Sequence, residues 1–113
     1  MKTKEIRIRC WIEVNGLKFF GPGPAELLEG IQREGSIAQA AKEMGMSYKK
    51  AWAMISELNT QASKPLVIAQ VGGKKGGGSM ITEEAKLLIT FYQKLRKRFT
   101  TFLEKETKLV SKS

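Results

Sequence analysis

Between residues 36 and 61 the sequence carries two short helical patterns separated by one glycine, and each pattern is opened by a serine. Ser36 stands three residues before Gln39, the spacing at which each side chain can satisfy the other's backbone N–H at a helix start. The pattern from Ile37 to Met44 is rich in small residues, Ala38, Ala40 and Ala41. Gly45 follows, where a left-handed cap ends a helix. After Met46, Ser47 is a second N-cap, and the next pattern runs from Tyr48 to about Gln61, with Ala51, Ile55 and Leu58 at helical spacing. Lys64-Pro65 stops it. Two helices joined by a short turn containing glycine predict a helix-turn-helix. In that reading Ala41 is small where the helices approach, Met46 plugs the space between them, and Ala40, Met44, Ala51 and Met54 fill the other apolar positions.

The flanking segments are strands and helices of a different rhythm. Residues 6–14 alternate, with Ile6, Ile8, Cys10, Ile12 and Val14 on one face and Arg7, Arg9, Trp11 and Glu13 on the other, which predicts a half-buried strand. Asn15-Gly16 is a two-residue type I′ turn, because both positions need positive φ. Leu17–Phe20 is the return strand. Gly21-Pro22-Gly23-Pro24 breaks the chain, and Pro24 suits a first helical turn. Leu27, Leu28 and Ile31 form a short apolar stripe ending at Gly35.

After Pro65, residues 66–71 form a short apolar strand and Ser79–Ile81 a second. Between them, residues 72–78 hold five glycines and two lysines, Lys74 and Lys75. A strand, a flexible lysine tip and a return strand after a helix-turn-helix make a wing, whose lysines neutralise phosphate. The glycine run matches neither the P-loop nor the dinucleotide fingerprint in its strand-to-helix context, so nucleotide binding is disfavoured. Thr82 caps a last helix, with Glu83 and Glu84 in the first turn, where the helix dipole favours anions. Ala85, Leu88, Tyr92, Leu95, Phe99, Phe102 and Leu109 mark it at spacings of three and four, interrupted by Glu106. This seam extends beyond what so small a domain can cover, so Leu95, Phe99, Phe102 and Leu109 are assigned to a dimer interface.

With 113 residues, one domain is expected over 1–113, divided into an N-terminal β-hairpin (1–20), a three-helix core (24–61), the wing (66–81) and the long helix (82–110). The fold class is α+β, a winged helix-turn-helix with an N-terminal β-hairpin and a long C-terminal dimerisation helix.

Charge narrows the function. Twenty Lys+Arg against eleven acids give a formal net charge of +9, and the acidic stretch 21–45 is followed by a basic 46–81. The excess points to a polyanionic partner. The chain has no His and one cysteine, which excludes Ser-His-Asp and Cys-His catalysis, imidazole-ligated metal and an intramolecular disulfide. No catalytic residue, metal or cofactor is expected, and the protein is read as a non-enzyme. No apolar run approaches the roughly 20 residues of a membrane span, and the charged start through Glu5 does not read as a signal peptide. A reducing cytoplasm is the expected compartment.

On the second helix of the pair, Ser47, Tyr48, Lys49, Lys50, Trp52, Ala53 and Ser56 are the candidate DNA-binding residues, together with Lys74 and Lys75 in the wing. The earliest of them can reach base edges in a major groove, and lysines can also bind phosphate. Trp52 flanks the core stripe, and packing is preferred for it over DNA contact. Tyr48 either contacts DNA or covers the helix start. Cys10 is read as an inert core thiol, Trp11 as covered by another element or a partner subunit, and Arg96-Lys97-Arg98 as a solvated face.

Gly21-Pro22-Gly23-Pro24, Gly35-Ser36-Ile37, Ala40-Ala41, Met46-Ser47-Tyr48-Lys49, Ala51-Trp52 and the glycines around Lys74 together resemble the N-terminal winged-helix domain of the molybdate-responsive ModE regulators, relatives of LysR-type DNA-binding domains. The resemblance runs from about Ile6 to Tyr92. It implies a dimeric transcription factor on a palindromic operator, with the helix from Ser47 as recognition helix. Full-length members carry molybdate-binding domains after the long helix. This sequence stops at Ser113, so molybdate binding is not expected of this chain alone. The expected function is sequence-specific DNA binding in transcriptional regulation by a homodimer on double-stranded DNA. The alternative is a winged-helix interaction module docking an acidic partner protein.

Overall fold

The computed structural model describes residues 2–70 and 78–112. In chain order they form β1 (Ile12–Val14), β2 (Leu17–Phe20), α1 (Pro22–Glu34), α2 (Ile37–Glu43), α3 (Tyr48–Gln61), β3 (Val67–Gln70), β4 (Gly78–Ile81) and α4 (Glu83–Ser111). This is the α+β winged helix, with two separate antiparallel ribbons, β1–β2 and β3–β4.

The first ribbon turns at Asn15 and Gly16, whose φ values of 51° and 80° are those of the type I′ turn. Val14 faces Leu17 and Glu13 faces Lys18, and a register irregularity then brings Ile12 opposite Phe20. The expected strand over 6–14 is correct only at its last three residues. The physical reason is the partner. β2 ends at Phe20, where Gly21-Pro22 turns the chain into α1, so residues 6–11 have no strand beside them. They lie against α4 instead. The Tyr92 hydroxyl donates to the Cys10 carbonyl (2.7 Å), and the Lys4 ammonium donates to the Val110 carbonyl (3.4 Å). Ile6 and Ile8 are exposed, and Cys10 is half-buried rather than a core thiol.

The core gathers Phe20, Leu27, Leu28, Ile31, Ile55, Leu58, Leu66, Ile81, Ala85 and Tyr92. Phe20 and Tyr92 meet edge to face at 5.3 Å, a favoured aromatic geometry. α1 and α2 approach closely because Gly30 lies against Ala40. A Cβ on Gly30 would stand 3.0 Å from that of Ala40. Gly35 ends α1 in the left-handed region (φ 68°). Its carbonyl accepts from Ser79 N–H (3.0 Å), and a Cβ on Gly78 would collide with that same oxygen. The β3–β4 ribbon is thus laid over the end of α1 at a point where only glycine fits.

α4 has 29 residues, about 44 Å of helix at 1.5 Å per residue, in a molecule 59 × 31 × 21 Å. It therefore projects beyond the core. Its apolar seam resolves into two faces. Ala85, Ile89 and Tyr92 are buried, and Phe99 and Leu103 continue that face against residues 8–10. Leu87, Phe91, Phe102 and Leu109 lie exposed on an adjacent face, with Leu95 half-buried between. No helix among the described residues is long and apolar enough to cross a membrane.

Candidate nucleic-acid interface

The turn between α2 and α3 is built from backbone bonds and one glycine. Gly45 has φ 69°, its N–H donates to the Lys42 carbonyl (3.1 Å), and the Met46 N–H donates to that of Ala41 (3.0 Å). The Ser36 hydroxyl accepts from the Gln39 N–H, and the Ser47 hydroxyl from the Lys50 N–H, each at 3.1 Å. Such caps satisfy amides that a helix start otherwise leaves open. Ala40, Ala41, Ala51, Ile55 and Leu58 are buried where the helices meet, with Met44, Met46 and Met54 packed partly against them.

Burying Ala51, Ile55 and Leu58 turns the opposite side of α3 outward. Lys49, Trp52, Ala53 and Ser56 are spaced three, four and seven residues apart and so share one helix face. Tyr48 stands one turn before Trp52. Tyr48, Lys49, Trp52 and Ala53 are exposed and Ser56 half-exposed, with Ser47 exposed at the cap. Tyr48 and Trp52 are 56% and 55% accessible. Packing, the preferred reading of Trp52, is overturned. The buried stripe of α3 is complete without it, Met54 fills the space beside that stripe, and the indole is left on the outer face. Lys50 is exposed but points to a different side, toward the β1–β2 hairpin, where it lines a cavity with Arg9 and Lys18.

The ribbon after α3 is fastened to it. The Asn59 carboxamide oxygen accepts from the N–H groups of Leu66 (2.8 Å) and Val67 (3.2 Å), and its NH2 donates to the Val67 carbonyl (3.0 Å). At the same end of the ribbon, where Ile81 pairs with Val67, the Thr82 hydroxyl donates to the Pro65 carbonyl (2.8 Å) while accepting the Ala85 N–H (3.2 Å). Sequence reading missed Asn59, because its partners are seven and eight residues away across a turn. For Thr82 it found the cap and not the bond to Pro65. Lys74 and Lys75 lie outside the described residues. Trp11 is partly covered by its own hairpin, with the Lys18 ammonium 4.3 Å from the ring centroid and its indole N–H donating to Glu13 (2.9 Å). Arg96, Lys97 and Arg98 are exposed. Among the described residues no group of three or more His, Cys, Asp or Glu could hold a metal ion.

Two helices at a glycine turn, the second with an exposed polar and aromatic face, and an antiparallel ribbon tied to that second helix define a winged helix-turn-helix domain. Residues 25–86 match the family of bacterial regulatory helix-turn-helix proteins of the lysR type, and the chain belongs to that family. It is 40% identical over 79 residues to the molybdenum transport protein ModE of Azotobacter vinelandii, covering 70% of this chain and 29% of that protein. It is 38% identical over 97 residues to the transcriptional regulator ModE of Haemophilus influenzae, covering 86% and 37%. Over 77 residues it is 43% identical to the DNA-binding transcriptional dual regulator ModE of Escherichia coli K12, covering 68% and 29%. The matches thus take in most of this chain and about a third of each of these relatives.

Proposed function

We propose that this chain is a sequence-specific, DNA-binding transcriptional regulator that works in the cytoplasm as a homodimer on a palindromic operator. The observation that carries the reading is the outer face of α3. Tyr48, Lys49, Trp52, Ala53 and Ser56 stand there side by side, at the start of the second helix of a helix-turn-helix. Helices placed in this way enter a major groove with their N-terminal residues against base edges. Lys49 can donate to guanine O6 and N7, and Tyr48 offers a hydroxyl or a ring against a thymine methyl. Ser47 orients the helix start. Lys50, Lys74 and Lys75 add phosphate contacts, as the net charge of +9 favours. No catalytic role is assigned, and no molybdate site is assigned to this chain.

The dimer rests on α4. Its exposed residues Phe102 and Leu109, with half-buried Leu95, form an apolar surface that a second copy covers, while Phe99, expected there from the sequence, turns toward residues 8–10 of its own chain. Two recognition helices then reach successive major grooves about 34–36 Å apart.

Selection of bound sequences from a random DNA pool tests the reading, followed by a salt titration on the selected site. A palindromic consensus and a steep fall of affinity with salt are expected. Failure to enrich any sequence, with tight binding to an acidic protein instead, would replace the DNA reading with that of an interaction module.

A further inference from the structure

A cavity of 640 Å³ opens between α3, the β1–β2 hairpin and the first turn of α1. This size suits a one- or two-ring molecule. Its apolar lining comes from Trp11, Phe19, Phe20, Met54 and the Gly21–Pro24 segment. Two glycines shape it. Gly21 has no Cβ, so Trp11 comes up against the backbone there, at a distance that would leave an added Cβ 3.2 Å from the tryptophan's own. Gly23 faces the methyl of Met54, 3.9 Å from where its Cβ would be.

The polar part of the site is positive. Arg9, Lys18 and Lys50 stand around it against one carboxylate, Glu57. The Lys18 ammonium stands over the Trp11 ring, 4.3 Å from its centroid. The same lining includes the start of α1, where Gly21 is the N-cap, offers no side-chain cap, and is followed by Pro22 and Pro24, which have no N–H. Gly23 is the first residue of that helix with an amide to offer, and the helix dipole favours an anion at this end. Three cations, an uncapped helix start and an aromatic wall converge on one opening. We infer that the cavity binds a small planar aromatic anion, its ring against Trp11 and Met54 and its carboxylate or equivalent group toward Lys18, Arg9 and Lys50.

Such a ligand is coupled to DNA binding, a consequence that rests on the function proposed above. Lys50 and Ala53 belong both to the cavity and to α3. An anion beside Lys50 neutralises a charge that DNA phosphate would use, and a ring beside Ala53 adds bulk next to the reading face. Ligand and DNA therefore oppose one another, and each weakens the other by the same factor.

The test is an amide-resolved NMR titration of the full chain with 1-naphthoate, run beside the neutral 1-naphthalenemethanol. Saturable shifts are expected at the Trp11 indole N–H and the amides of Gly21, Gly23 and Ala53, with the alcohol at least tenfold weaker. Lys18→Ala, a surface change that leaves the core untouched, should weaken the carboxylate several-fold more than it alters binding of the alcohol. Equal binding of acid and alcohol, shifts centred on Phe91 and Phe102 of α4, or no saturation would overturn the site. In a second arm, fluorescence anisotropy on the selected operator should show 1-naphthoate lowering DNA affinity several-fold. If the site saturates and DNA affinity does not change, the coupling is wrong. If no DNA binds at all, the proposed function fails and the NMR result stands separately.

Discussion

The carboxamide of Asn59 holds the backbone of Val67 from both sides, accepting its N–H at 3.2 Å and donating to its carbonyl at 3.0 Å. With the Leu66 N–H on the same oxygen, one side chain of α3 imitates a strand partner for the start of β3. α3 and the base of the β3–β4 ribbon are therefore one mechanical unit. Asn59→Ala leaves two amides without their acceptor, and an unmade bond of this kind costs about 1–3 kcal/mol. Urea denaturation should show that loss. Asn59→Asp keeps the acceptor for both amides but sets a carboxylate oxygen against the Val67 carbonyl in place of the donor, so its midpoint is also expected below wild type. An alanine variant as stable as wild type would show that the Asn59 side chain does not hold the wing.

Tyr92 joins the core to the N-terminal segment through the Cys10 carbonyl. Tyr92→Phe removes that bond and keeps the ring, with an expected cost of about 0.5–1.5 kcal/mol. The phenol also carries a pH signature. Burial pushes its pKa above the ordinary value of 10.0, against a smaller lowering by Arg96. A raised value means that the folded protein favours the neutral phenol, so this contribution is complete below pH 10 and lost as pH rises through the folded-state value. Thermal unfolding between pH 8 and 11 should show wild type losing more stability than Tyr92→Phe. Parallel curves would contradict it.

Base reading is expected to reside at the start of α3. Lys49→Ala should relax preference at one base pair of each half-site by about 1–3 kcal/mol, with binding to random DNA less affected. Tyr48→Phe separates hydroxyl from ring: a disappearing preference assigns the reading to the hydroxyl. Base-by-base affinity profiles measure both. Equal losses on operator and random DNA would mean that this helix positions the protein without reading sequence.

Replacing Lys74 and Lys75 together with alanine should weaken binding to every DNA sequence alike. For every phosphate that is no longer neutralised, the plot of log affinity against log salt flattens by about 0.9. An unchanged slope would remove these lysines from the interface.

Phe102→Glu with Leu109→Glu should yield monomers in sedimentation while circular dichroism stays that of the folded chain. Both side chains are exposed, at 56% and 60%, so the protomer does not need them, whereas charges desolvated in an apolar interface are costly. A wild type that remains monomeric at high concentration would remove the dimer.

Much of the fold could be read from the chain order. Ser36, Gly45, Ser47, Thr82 and Asn15-Gly16 work through neighbours two to four residues away, and the structure places each cap and turn where its pattern falls, with only the Ser36 half of the expected Ser36–Gln39 pair formed. The outward face of α3 was legible for the same reason, since the burial of Ala51, Ile55 and Leu58 dictates what turns away from them.

Other features depended on which elements came to lie side by side. Alternation over residues 6–14 states a preference for strand, but hydrogen bonds require a partner, and β2 is long enough for only three of those residues. The seam read along α4 passed over Leu87, Ile89, Phe91 and Leu103, because spacings of three and four do not say which of two neighbouring faces the core will take. Asn59 looks like any polar helix residue until Leu66 and Val67 fold back onto it. The cavity beside Trp11 exists only where a hairpin, a helix start and α3 converge. Local patterning determines caps, turns and helix faces because their energies are settled within one helical turn. Pairing, burial and cavities belong to the fold because they depend on surfaces brought together from distant parts of the chain.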